Sequence, residues 1–92
     1  MKSVKTLRLN HNRISDAGVK HLLKSIKHLN VEFIFMTHNH LEDISLDYFI
    51  SFRKYNKKLR AIYMTNNPVN TKSKKFHTKM DILKNHKISL IA

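Results

Sequence analysis

The chain has 92 residues and a formal net charge of +12, from 18 Lys and Arg against 6 Asp and Glu. It has no cysteine, which excludes a disulfide scaffold and a thiolate metal site, and it has no apolar run of bilayer-spanning length. Such a length suits one small domain with a modest core, and such a charge suits contact with nucleic acid, acidic proteins or anionic membranes without choosing among them.

The first residues, MKSVKTLRLN, lack the continuous apolar segment of a secretory signal. A short strand is expected in "LRLNHNRI", Leu7 to Ile14, with Val4 three residues ahead of it. Ser15 and Asp16 are capping types, and Val19, Leu22, Leu23 and Ile26 follow at helical spacing. A second strand is expected over Val31 to Met36. Phe33 and Phe35 lie on one of its faces and Ile34 and Met36 on the other. Both faces are apolar, where an ordinary half-buried strand alternates. Leu46, Phe49, Ile50 and Phe52 predict a helix between Ser45 and Tyr55, followed by "YNKKL". A third strand is expected in "IYMTNNPV", Ile62 to Val69, where Pro68 falls after the strand has ended. A polar loop, "NTKSKK", leads to Phe76, Met80 and Leu83 at helical spacing, and the tail "KISLIA" predicts a fourth, edge strand.

The three strand segments share one pattern, apolar-x-apolar-x-x-Asn-x-apolar, in "LRLNHNRI", "IFMTHNHL" and "IYMTNNPV". Val4, Val31 and Leu59 stand three residues before each, and Asn12, Asn39 and Asn67 are spaced by 27 and then 28 residues. Three surface turns would also favour Asn, but would not explain the matching apolar positions. An Asn at such a turn can satisfy unpaired backbone groups of adjacent coils, so Asn12, Asn39 and Asn67 are expected to form an internal ladder. The pattern resembles the leucine-rich repeat, L-x-x-L-x-L-x-x-N-x-L, and the repeat length with helical second halves looks like the ribonuclease-inhibitor subtype. Gly18 sits where that subtype often has a glycine. The resemblance implies an α/β fold, a short solenoid of three to four parallel strands on a concave face with helices on the convex face. Its repeats would run over residues 4–30, 31–58 and 59–87, with a C-terminal edge strand over 88–92. Only Met1 to Ser3 precede Val4, so the first strand is expected to have an open edge, to be covered by a partner, or to belong to a longer chain.

The asparagine register sorts the faces. Ile34 and Met36 align with Leu7 and Leu9 and are expected in the core. Phe33 and Phe35 align with Thr6 and Arg8 and are expected to face outward, as are Ala61 and Tyr63. One outward row then reads Arg8, Phe35, Tyr63 and Ile91. Others read Asn10, Thr37 and Thr65, then His11, His38 and Asn66, then Arg13, His40 and Pro68. Aromatics with an arginine match the composition of interface hot spots, and an exposed apolar patch marks an interaction site. Cover by the chain's own loops, or packing of these side chains on one another, are the alternatives. The expected partner-binding residues are therefore Arg8, His11, Arg13, Phe33, Phe35, His38, His40, Tyr63 and Thr65.

Other chemistry finds little support. His38 and His40 form an H-x-H near His11, but no further ligand completes a metal site. Exposed turn histidines are the reading taken, with pH sensitivity of an interface as their possible consequence. With one glycine there is no phosphate-cradling loop, and no nucleophile stands beside a base in any motif, so no catalytic residue, cofactor or enzyme activity is expected. Glu42, Asp43, Asp47 and Asp81 fall where helix capping and dipole compensation account for them. The lysines, Lys20, Lys24 and Lys27 among them, fall mostly in helical halves and loops.

What the resemblance implies is a protein-binding module whose concave face grips a protein partner. A weaker resemblance, to short leucine-rich-repeat effectors of intracellular bacteria, implies a cytoplasmic location, or a host cytosol for a secreted effector. The partner would be a host protein or another bacterial effector, inhibited by covering its active site. The alternative is binding of nucleic acid or an anionic surface through the lysine-rich helices. No motif sets an oligomeric state.

Overall fold

The computed structural model describes residues 5–92. Val4, expected to open the first strand segment, lies outside the described residues. The chain alternates strand and helix: β1 (Thr6–Arg8), α1 (Asp16–Ser25), β2 (Phe33–Phe35), α2 (Ile44–Phe52), β3 (Ala61–Tyr63), α3 (Lys74–Asn85) and β4 (Ser89–Ile91). The strands form one open parallel sheet in the order β1-β2-β3-β4. The architecture is mixed α/β. Each helix is a crossover between neighbouring parallel strands, and crossovers of one hand place all helices on the same side of a sheet.

The register follows from the asparagine spacing. Leu7 pairs with Ile34, Ile34 with Ile62 and Ile62 with Leu90. These side chains point toward the helices and pack with Val19 and Leu23 of α1, Leu46, Phe49 and Phe52 of α2, and Phe76 and Leu83 of α3. Ile34 and Ile62, in the central strands, are fully buried, whereas Leu7 and Leu90 at the two edges are only partly so. Each central strand has a coil on both sides, and each edge strand has one.

Local chemistry sets the helix ends. Ser15 caps α1 by accepting from the Gly18 N–H at 3.3 Å, and Ser73 caps α3 by accepting from the Phe76 N–H at 3.0 Å. Gly18 sits close under Ile14: an added Cβ would stand 3.1 Å from its Cγ2, so that side chain would have to shift by a few tenths of an ångström. Helix α2 begins one residue before Ser45; at its N-cap the Asp43 carbonyl accepts from the Leu46 N–H at 3.0 Å, while the Asp43 side chain makes no capping bond to its own helix. Beyond α3, Lys87 takes a left-handed backbone with φ 62°. The Ile88 N–H then donates to the Leu83 carbonyl, and the Lys87 N–H to that of Lys84. This doubly bonded end is usually built on glycine.

Candidate interaction surface

Strand residues alternate between faces, so the residues beside the core positions point away from the helices. Parallel strands lie about 4.8 Å apart. In-register pairing therefore sets equivalent outward side chains at stacking distance. Arg8, Phe35, Tyr63 and Ile91 are cross-strand partners in sequence. The Phe35 and Tyr63 rings stack with centroids 4.4 Å apart and planes 1° from parallel. From the strand on the other side, the Arg8 guanidinium carbon lies over the Phe35 ring, 4.9 Å from its centroid. Phe35 is held between a cation and a phenol. Ile91 is 37% exposed, while Phe35 and Tyr63 are half-buried.

The second outward row pairs Thr6, Phe33, Ala61 and Ser89. Phe33 is half-buried, and its flanking partners carry no ring to stack on it. Ala61, expected to face outward, is only 6% exposed and lies beside Phe33 in the sheet, so it adds little to the open surface. The outward face is thus partly self-packed: the side chains lean on one another.

After β1, β2 and β3 the chain turns sideways at a left-handed residue, His11 at φ 60°, His38 at φ 56° and Asn66 at φ 61°, with Arg13 a second one in the first turn. His and Asn tolerate this region better than most non-glycine residues. The turn stacks the His11 and His38 rings with centroids 4.2 Å apart and planes 14° apart. It also means that residues 38–40 are not extended. His40 instead pairs with Ser15, its N–H donating to the Ile14 carbonyl at 2.8 Å. The H-x-H spacing therefore does not place two imidazoles as alternate residues of one strand. Among the described residues no group of three or more His, Cys, Asp or Glu is placed to hold a metal ion. Arg13, itself left-handed at φ 54°, and His40 are both exposed, and Thr65 is half-buried in the turn two residues beyond β3.

Beneath this face two sets of cross-coil bonds fix the strands. Asn39, 5% exposed, accepts on Oδ1 from the N–H groups of Asn12 and Ile14, both at 2.9 Å. Its Nδ2 donates to the carbonyls of Leu9 at 2.8 Å and Thr37 at 3.2 Å. Asn67 repeats the arrangement one coil on. It accepts from the N–H groups of Asn39 at 3.1 Å and Leu41 at 2.9 Å and donates to the carbonyl of Met36 at 2.8 Å. Asn12 departs from the expected ladder. Its side chain is exposed and donates to the Asn10 carbonyl at 3.1 Å, within its own coil. Among the described residues it enters the series through its backbone N–H.

The second set was missed by sequence reasoning. Asp16 accepts from the Glu42 N–H at 3.0 Å and from the Ser45 hydroxyl. Asp43 accepts from the Asn70 N–H and the Ser73 hydroxyl, both at 3.2 Å. Each aspartate thus sits at the start of its own helix and also bonds to the helix start of the following coil. The signal was available: Asp16 and Asp43 are 27 residues apart, and Ser45 and Ser73 are 28 apart. Asn56 is a third such residue, 1% exposed, donating to the Leu29 carbonyl one coil back at 2.6 Å.

The family model of the leucine-rich repeat matches residues 1–23, a span that holds Leu7, Leu9, Asn12 and most of α1. No curated protein and no solved structure matches the chain. A leucine-rich repeat motif points in general to protein–protein interaction. Among the described residues no helix is long and apolar enough to cross a membrane.

Proposed function

We propose that the protein is a leucine-rich-repeat recognition module. Its repeats occupy residues 4–30, 31–58 and 59–87, with a closing edge strand over 88–92, and its concave strand face binds a protein partner. Packed helices stand about 8–10 Å apart and paired strands about 4.8 Å apart. A stack with every helix on one side therefore bends into an arc with the strands inside. Leucine-rich repeats are typically non-enzymatic interaction modules, and the reading here is of binding alone. Blocking a partner enzyme by covering its active site is its concrete form, as for a short bacterial effector acting in a host cytosol.

The observation that carries this reading is Phe35, half-exposed at the middle of the sheet between Arg8 and Tyr63 on the side that bears no helix. A ring already oriented by its neighbours loses little freedom on binding, which favours it as an anchor. Tyr63 and Phe33 extend the apolar centre, while Arg8, His11, Arg13, His38, His40 and Thr65 supply its polar surround. The test is affinity capture with mass spectrometry using wild type, Phe35→Ala and Tyr63→Ala, followed by titration of the captured partner. Truncating a central anchor is expected to cost at least about 2 kcal/mol, roughly thirtyfold in Kd. A partner that binds Phe35→Ala as tightly as wild type removes the proposal.

A further inference from the structure

A groove of about 400 Å³ lies on the opposite side, between α1 and α2. Its floor is apolar, from Leu23 and Phe52. One wall is a lysine edge, Lys20, Lys24 and Lys27, and the other is formed by Tyr48 and Tyr55. The Lys20 ammonium lies over the Tyr48 ring, 5.9 Å from its centroid, and the Lys27 ammonium over the Tyr55 ring at 5.2 Å. No carboxylate lines the groove among the described residues, and neither of the two ion pairs there, Arg60–Glu32 and Lys79–Asp47, involves these lysines. Tyr55 is 63% exposed, the highest value among the large apolar and aromatic side chains.

We infer that this groove is a second binding site, which takes a short acidic protein segment carrying an apolar anchor. Three cations without an acid beside an apolar floor define the complement: carboxylates to meet the ammonium groups and an aliphatic or aromatic side chain to sit on Leu23 and Phe52. A nucleic-acid strand fits less well. Strands without sequence preference bind by stacking bases on open aromatic faces, and here both tyrosine rings are already approached by lysine ammonium groups. The lysine edge runs seven residues along the helical direction, about 10 Å, and an extended segment covers that with three or four residues at about 3.3 Å each.

The experiment uses the full chain and a dye-labelled peptide of about eight residues, acidic throughout except for a central Leu-Phe pair, read by fluorescence anisotropy at physiological salt. Saturable binding is expected. The combined Lys20→Gln, Lys24→Gln and Lys27→Gln variant should weaken it by about tenfold or more, and Tyr55→Ala should do the same by removing a wall of the groove. The control is Lys72→Gln, Lys74→Gln and Lys75→Gln, which brings the same fall in net charge from +12 to +9 outside the groove and should leave affinity unchanged. Three results overturn the inference: no saturable binding, equal losses in the two triple variants, or binding as tight by a peptide with Ser in place of Leu-Phe or by an oligothymidylate of equal charge.

Discussion

Replacing Asn39 by Ala probes the interior that holds the outward face in place. The side chain is 5% exposed and makes four hydrogen bonds, two accepted and two donated. Alanine removes the acceptor for the N–H groups of Asn12 and Ile14 and the side-chain donor to the Leu9 carbonyl. The Thr37 carbonyl keeps the bond from the His11 N–H at 2.9 Å. Three groups are thus left to find other partners, at about 1–3 kcal/mol for each that stays buried. Asn12 is exposed, so water can reach its end of the gap. About 3 kcal/mol is the resulting expectation. For a domain of this size that is a fall in Tm of roughly 12–24 °C, and a large share of a total stability of order 5–14 kcal/mol. Asn12→Ala is the matched control, since among the described residues that exposed side chain bonds within its own coil; it should cost no more than about 0.5 kcal/mol. Urea unfolding gives both numbers, and amide exchange locates the loss, which should appear first at Asn12 and Ile14. If the two variants unfold within about 0.5 kcal/mol of each other, the Asn39 bonds do not hold the coils together.

Ile34→Ala should cost about 2–5 kcal/mol through lost burial and a cavity, while Phe35→Ala should cost only about 1 kcal/mol, from its stack and cation contact; thermal unfolding in the reverse order would place the strand one residue out of register. Asp43→Ala should cost about 1 kcal/mol, with faster amide exchange at Asn70 and the start of α3; a loss confined to α2 would show that Asp43 serves its own helix. Lys87→Gly should raise stability by about 1 kcal/mol, since a left-handed residue with a side chain carries that penalty and glycine does not; unchanged urea midpoints would contradict the strain.

The strand positions, their register and the faces of the two phenylalanines could be read from the sequence because one recurring residue, the asparagine, fixes all three. Helix α1 was legible from Ser15 and the spacing of Val19, Leu22, Leu23 and Ile26. What escaped depends on distances between coils rather than on patterns within one. Asp16 and Asp43 look like ordinary caps until the next coil is laid beside them. Asn56 looks like a loop residue until Leu29 is found within reach. For Phe35 and Tyr63, packing on one another was one of the alternatives, and it takes strands paired at about 4.8 Å to turn the neighbouring rings into a stack. The left-handed His11, His38 and Asn66 gave a weaker signal, a non-glycine residue recurring two positions after Leu9, Met36 and Met64, in a chain with almost no glycine to mark its turns.

The inward and outward series of one sheet place different demands on sequence. Leu7, Ile34, Ile62 and Leu90 are interchangeable in kind, as a common core requires. Arg8, Phe35, Tyr63 and Ile91 are not: the row passes from cation through two rings to an aliphatic end. Stability alone does not demand that gradient, since any well-stacking residue would serve. A partner would meet it in one direction, with negative charge toward β1 and apolar surface toward β4. Arg8 is exposed at the edge, so its charge works mainly in water, where it guides approach more than it strengthens the final contact. Arg8→Ala should therefore slow association with the proposed partner of this face several-fold at low salt and change dissociation little. The same variant removes a cation from the Phe35 ring, so Arg8→Lys, which keeps the charge but not the planar guanidinium, separates the two roles. Recovery of the association rate by lysine assigns Arg8 to steering. Failure to recover, with faster dissociation in both variants, assigns it instead to holding Phe35 in position.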